Sequence, residues 1–168
     1  MGALEIRAMG DGDPAVISAA FTALGWTGRT VESYEGLLGQ QRRGERDVFV
    51  ATVDGELAGY VTLTWQPAYD HGPGIPEVQD LNVLPQFRRR GIGGALMDAA
   101  EGRAAERSTT VGIGVGLYAD YGSAQRMYFR RGYLPDGRGL MYDWLPVPPG
   151  DMVRLDDDAT LMFTKSLR

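Results

Sequence analysis

The chain has 168 residues with 24 Gly, 9 Pro and no Cys, a length that favours one domain and suffices for a real core. Without cysteine there is no disulfide framework, thiolate zinc site, iron–sulfur cluster or cysteine-borne acyl intermediate, and with His71 as the one histidine a three-histidine metal site is excluded. The net charge of −5, from 17 basic and 22 acidic residues, lacks the basic excess of a general nucleic-acid binder, so no nucleic-acid partner is expected.

No apolar run approaches the ~18 residues of a membrane span, and Met1 to Arg7 lacks a signal-peptide layout. The expectation is a soluble cytoplasmic protein with no membrane partner. Leu4 to Ala8 alternates as a first strand, and Asp13-Pro14 reads as the N-cap and first residue of a helix running to about Leu24 and ended by Gly25. Thr30 to about Gln41 has Val31, Tyr34, Leu37 and Leu38 at helical spacing, with Gly44 closing it. Two β-rich runs, Asp47 to Val53 and Glu56 to Trp65, flank Asp54-Gly55, the dipeptide favoured in a type I′ hairpin turn because both positions need positive φ. Gln66 to Pro76 holds three prolines and two glycines and predicts an irregular loop, in which His71 is expected to be an exposed residue.

Glu77 to Val83 resumes as a strand, and Gly91 to about Arg107 forms a helix with Ile92, Leu96 and Ala100 on one stripe. Val111 to Tyr118 alternates strictly, with Gly112, Gly114 and Gly116 leaving one face as bare backbone, a sign that something approaches closely there. A short helix follows from Gly122 to Arg131, stopped by Gly132; Tyr133 to Gly137 is expected to turn the chain back. Leu140 to Leu145 and Thr160 to Leu167 read as the last strands. The order β-α-α-β-β-β-α-β-α-β-β suits one α/β domain, residues 1–168, with a mixed sheet and helices on both faces.

The chemistry concentrates where the strand ending Leu81-Asn82-Val83 passes through Arg88-Arg89-Arg90-Gly91-Ile92-Gly93-Gly94 into a helix. Glycines let backbone approach a phosphate, N–H groups of the first helical turn point at it, and arginine adds charge-assisted hydrogen bonds. A P-loop would need Gly-Lys-Ser/Thr, which Ala95-Leu96-Met97 does not supply, and the third spaced glycine of a dinucleotide fingerprint is missing. On its own terms the arginine run also fits a solvated surface, and Tyr128 fits a core aromatic on a helix stripe.

Arg88-x-x-Gly91-x-Gly93 after a strand and before a helix, together with Ala124-Gln125-Arg126-Met127-Tyr128 and then Gly132-Tyr133, resembles the GNAT (Gcn5-related N-acetyltransferase) superfamily over most of the chain. The resemblance implies a mostly antiparallel sheet of about seven strands, splayed between strands 4 and 5, and acetyl-CoA as co-substrate with no metal. By position it implies that Leu81, Asn82 and Val83 pair with the pantetheine arm and that Arg88, Arg89, Arg90, Gly91, Ile92, Gly93 and Gly94 hold the phosphates. Tyr128 would stand near the thioester sulfur as general acid and cofactor contact, and Glu77 would serve as base. Tyr121 occupies a cofactor-binding position where many members carry Asn.

An alkylamine has a pKa near ~10, so about one molecule in a thousand is neutral at pH 7 and a carboxylate base is useful; Glu77 or Asp80 is the candidate, and the two face opposite sides of an ideal strand unless a bulge intervenes. Trp26, Trp65, Tyr69 and Asp80 are the candidate substrate-binding residues, and with Asp70, Asp151 and Asp156 to Asp158 they would make an aromatic, acidic rim for a cationic amine. The expected activity is direct acetyl transfer to a primary amine of a small molecule. A protein or peptide N-acetyltransferase and a non-catalytic acyl-CoA sensor are the alternatives, and a homodimer is among the expectations because many relatives by resemblance form one.

Overall fold

The computed structural model describes residues 2–168. Strand β1 (Leu4–Ala8) leads to helices α1 (Asp13–Ala23) and α2 (Val31–Arg42), then strands β2 (Arg46–Val53), β3 (Glu56–Thr64) and β4 (Glu77–Val83). A 3-10 turn at Pro85–Phe87 precedes α3 (Ile92–Ala105); β5 (Thr110–Gly116), α4 (Gly122–Arg130), β6 (Leu134–Tyr142), β7 (Leu145–Pro146) and β8 (Ala159–Ser166) complete the chain. The chain gathers into two compact units, one running through Thr64 and resuming over Gln79–Arg103, the other made of Trp65–Val78 and Ala104–Arg168.

Strands pair in the order β1-β2-β3-β4 in the first unit and β4-β5-β8-β6-β7 in the second, β4 contributing to both, so the described residues form eight strands where about seven are expected. The sheet is mixed and mostly antiparallel, with β4 and β5 the parallel pair. Their register covers Glu77↔Gly112 and Val78↔Ile113.

In the first unit, Asp54 (φ 51°) and Gly55 (φ 82°) form the expected tight turn between β2 and β3. A bulge follows in β3, because Ala51 pairs with Gly59 but Thr52 pairs with Leu57. Gly59 has no substitute at this point: a Cβ there would lie 2.3 Å from the Asn82 carbonyl oxygen on β4. Thr30 caps α2 in a reciprocal arrangement with Ser33, and α2 lies against α1 and β2. The start of α1 needs correction. Its N-cap is Gly12, which supplies no side chain, and Asp13 is the first helical residue; the Asp13 carboxylate instead accepts from the Gly10 N–H at 2.7 Å and from Arg7 at 2.6 and 2.9 Å.

In the second unit, β8 lies between β5 and β6. The expected turn at Tyr133 to Gly137 is absent; from Leu134 on these residues lie in β6, where Gly137 (φ 82°) and Gly139 (φ 78°) take up an irregularity in the β6–β8 register between Pro135 and Leu140. The expected strand Leu140 to Leu145 is broken by Asp143 (φ 49°) and Trp144 (φ 60°), a turn of the Asp54-Gly55 kind built without glycine. The bare face of β5 is filled by the chain's own side chains. A Cβ at Gly112 would lie 2.4 Å from the His71 ring, one at Gly114 2.9 Å from the Met162 sulfur, and one at Gly116 2.4 Å from the Tyr121 ring.

Candidate active site

In the first unit, β4 is deformed at the residue that the sequence reading marks. Asp80 sits at φ 54°, in the left-handed region that a β-bulge residue can occupy, in the middle of the seven-residue strand. Its carboxylate accepts from the Arg29 guanidinium at 2.7 Å through one oxygen. Two residues on, Asn82 donates to the Tyr60 hydroxyl and to the Asp80 carbonyl, each at 3.2 Å. Tyr60 is buried, meets the Tyr34 hydroxyl at 3.4 Å and takes Phe21 edge-on. Burial, followed by the negative charge of Asp80, drives the Tyr60 hydroxyl far above its ordinary pKa, so it keeps its proton. Trp26 is 50% exposed and lies 5.2 Å from the Phe21 ring.

Beyond β4, Arg88 turns its Nε back onto the Val83 carbonyl at 3.0 Å, which fixes the stem while its two terminal nitrogens have no hydrogen-bond partner among the described residues. Arg89 adopts φ 61° and Gly91 φ 79°, conformations that gather backbone N–H groups into a concave turn ahead of α3. Arg90 lies over the Phe87 ring at 5.5 Å. All three arginines are exposed, and none pairs with a carboxylate among the described residues. A Cβ at Gly91 or Gly94 would meet nothing within 4 Å, so there is open space above the first turn of α3. Unpaired guanidiniums, concave backbone and free volume fit a pyrophosphate.

In the second unit, His71 corrects the expectation of an exposed loop residue. Its side chain has no exposed surface, and its Nε2 meets the Glu77 carboxylate at 2.6 Å, with the Glu77 side chain 4% exposed. Its ring lies where Gly112 lacks a Cβ and takes the edge of Tyr69 at 4.8 Å. Among the described residues Nδ1 has no hydrogen-bond partner. The candidate rim is also altered. Tyr69 is buried and donates to Asp136, and Arg138 lies over its ring at 5.4 Å while donating to the Asp70 carbonyl at 2.7 Å. Trp65 carries the Arg107 guanidinium 4.0 Å above its ring. Asp70 is exposed and accepts the Gly72 N–H, and Asp156 accepts the Tyr142 hydroxyl at 2.9 Å.

Tyr128 lies buried on α4 with its ring 5.8 Å from Tyr133; burial raises its pKa well above the ordinary value, and its hydroxyl has no hydrogen-bond partner among the described residues. Tyr121 donates to Asp157 at 2.8 Å, and Tyr118 donates to the same oxygen. Gln125 reaches the Gly116 carbonyl at 2.8 Å. Sequence reasoning missed the roles of Arg29, Tyr60 and Gln125. For the burial of His71 a signal was present in Gly112, whose missing Cβ announces a close neighbour without naming it.

A strand with a left-handed residue at Asp80 thus runs into an arginine- and glycine-rich turn at the start of α3. The family model for the acetyltransferase (GNAT) family matches residues 17–133, and the chain belongs to that family. An uncharacterised N-acetyltransferase of Archaeoglobus fulgidus is 35% identical over 98 residues, covering 48% of this chain and 66% of that protein's own length, just under two thirds. Among solved structures, a Salmonella typhimurium protein, yncA, assigned as an acetyltransferase and solved with its cofactor acetyl-CoA, is 18% identical with a TM-score of 0.70 over 99% of this chain and 95% of that one. A ribosomal-protein-alanine N-acetyltransferase from Brucella melitensis is 17% identical with a TM-score of 0.72 over 96% and 99%. At these identities the two structures show a shared fold. Among the described residues no helix is long and apolar enough to cross a membrane.

Proposed function

We propose that the 1–168 stretch acts as one acetyl-CoA-dependent N-acetyltransferase domain that transfers the acetyl group directly to the primary amine of a small molecule. The observation that carries this reading is the Arg88–Gly94 turn, with three guanidiniums lacking carboxylate partners beside open space at Gly91 and Gly94. The family membership and the acetyl-CoA bound to the Salmonella relative support it. Leu81, Asn82 and Val83, with Ile92 and Gly93 in the first turn of α3, complete the proposed cofactor contacts.

In the transfer, the amine nitrogen forms a bond to the acetyl carbon and the carbon–sulfur bond breaks; one proton leaves the ammonium before attack, a second leaves as the amide forms, and one of the two ends on the thiol. Asp80 is the carboxylate suited to the first proton, since its side chain is 25% exposed whereas Glu77 is buried against His71. Glu77 then serves the site by holding the chain at the start of β4. A tyrosine raised above 10 is a weaker acid than a thiol of pKa roughly 8.5, so full proton transfer from Tyr128 to the thiolate is uphill by at least about 2 kcal/mol. Tyr128 contributes as a hydrogen-bond donor to the developing thiolate.

Calorimetric titration with acetyl-CoA, using NAD and ATP as controls, tests the reading. Selective micromolar binding is the expected result, and absence of binding overturns it. Coenzyme A release with a panel of small amines, compared with peptides bearing a free N-terminus, separates the small-molecule acceptor from the protein acceptor that the Brucella relative's name describes.

A further inference from the structure

Arg29 stands in the connection between α1 and α2, on the Asp80 bulge. The pairing is monodentate: one guanidinium nitrogen meets Asp80 Oδ1 at 2.7 Å, and neither side chain has another hydrogen-bond partner among the described residues. Arg29 therefore keeps Nε and its other terminal nitrogen for a further acceptor, and Asp80 keeps Oδ2 for a further donor. Both side chains stay partly open, 38% for Arg29 and 25% for Asp80. A pair formed only to hold the fold gains most as a closed two-bond fork. This one is open on both members, with the Tyr34 ring 6.0 Å from the guanidinium.

Resting on the acetyltransferase reading above, we propose that the acceptor is a zwitterion of the α-amino-acid type, its ammonium on Asp80 Oδ2 and its carboxylate on the free Arg29 N–H groups. The spacing selects the class. The cation and anion of the pair are in contact, so the two charges of the ligand must be neighbours too, as they are when one carbon separates amine and carboxylate. Placed across the pair, such a molecule closes a square of alternating charges. A diamine or polyamine would instead bring a second ammonium toward Arg29 and be repelled. Asp80 then holds the ammonium whose proton it receives, and Arg29 acts as the specificity-determining residue. This replaces an acidic rim for a simple cationic amine with a matched pair of opposite charges.

The test is titration calorimetry of a panel of α-amino acids, each compared with its carboxamide and its decarboxylated amine, into the wild-type protein with and without coenzyme A. At least one amino acid is expected to bind about 10- to 100-fold more tightly than both counterparts, the range of one or two hydrogen bonds to a charged group. Arg29→Gln is expected to reduce that preference to about twofold or less, and Arg29→Lys to restore part of it. Equal or tighter binding of the decarboxylated amine, or binding of no amino acid at all, overturns the proposal on the wild-type protein alone, whatever the variants' folding. Acetyl-CoA titration of the same sample keeps the two ideas separate: loss of cofactor binding with carboxylate discrimination intact removes the transferase reading and leaves this one standing.

Discussion

At Arg88–Gly94 the working groups are exposed, consecutive in sequence and without carboxylate partners, whereas at His71–Glu77 they are sealed from solvent and bound to each other. The first arrangement leaves guanidinium charge and backbone N–H groups available to a ligand and contributes little to holding the fold. The second commits its polar atoms to the interior, where an unmatched group costs far more than it does at the surface. Substitutions at the two places therefore have opposite signatures, affinity at one and stability at the other.

The largest effect is expected at the buried pair. His71→Ala leaves the Glu77 carboxylate without its imidazole partner and should destabilise the fold by about 3 to 5 kcal/mol, read as a lower urea midpoint; a change under about 1 kcal/mol would show that the pair is not a structural element. Arg88→Ala is the mirror case. It should leave stability within about 0.5 kcal/mol and weaken acetyl-CoA by roughly 1.5 to 3 kcal/mol in calorimetry, whereas unchanged affinity would mean that Arg88 serves only the Val83 carbonyl.

Tyr128→Phe tests a group that shares features of both regions, buried in its ring yet unpartnered at its hydroxyl. Turnover should fall about tenfold with acetyl-CoA affinity held within about twofold, and an unchanged rate would take Tyr128 out of the reaction. The smallest effect concerns Asp13. Burial works to raise its pKa, but hydrogen bonds from Arg7 and the Gly10 N–H outweigh that and hold it below the ordinary value. A depressed carboxylate stabilises above its unfolded pKa near ~3.9 and loses that contribution as pH falls through the folded value. Asp13→Asn should therefore cost about 1 kcal/mol at pH 7, and the gap from wild type should close below about pH 3.

The same contrast explains what could be read from the sequence. Asp54-Gly55 and the arginine turn were legible because their geometry follows from adjacent residues. The bulge at Asp80 was foreseen only as a condition for two acids to face one way. Asp143-Trp144 makes a turn with two positive φ values but carries no glycine to announce it, so the run Leu140 to Leu145 passed for one strand. His71 looked like a loop residue because its partner lies six positions on and its cavity is formed by Gly112, about forty residues away. Arg29 was hidden in the same way, since its significance depends on Asp80, fifty-one positions distant. Contacts between remote residues leave no local pattern.

The brevity of β7 bears on how the protein behaves when concentrated. This two-residue strand, Leu145–Pro146, ends the β4-β5-β8-β6-β7 run. A foreign strand needs a row of alternating donors and acceptors to dock, and here it finds two residues, one of them a proline with no N–H to offer. Leu145 itself is largely exposed, 67%, yet the backbone of β7 gives fibre growth almost no template. At β7, crowding thus favours side-chain contact through Leu145 over extension of the sheet by strand stacking.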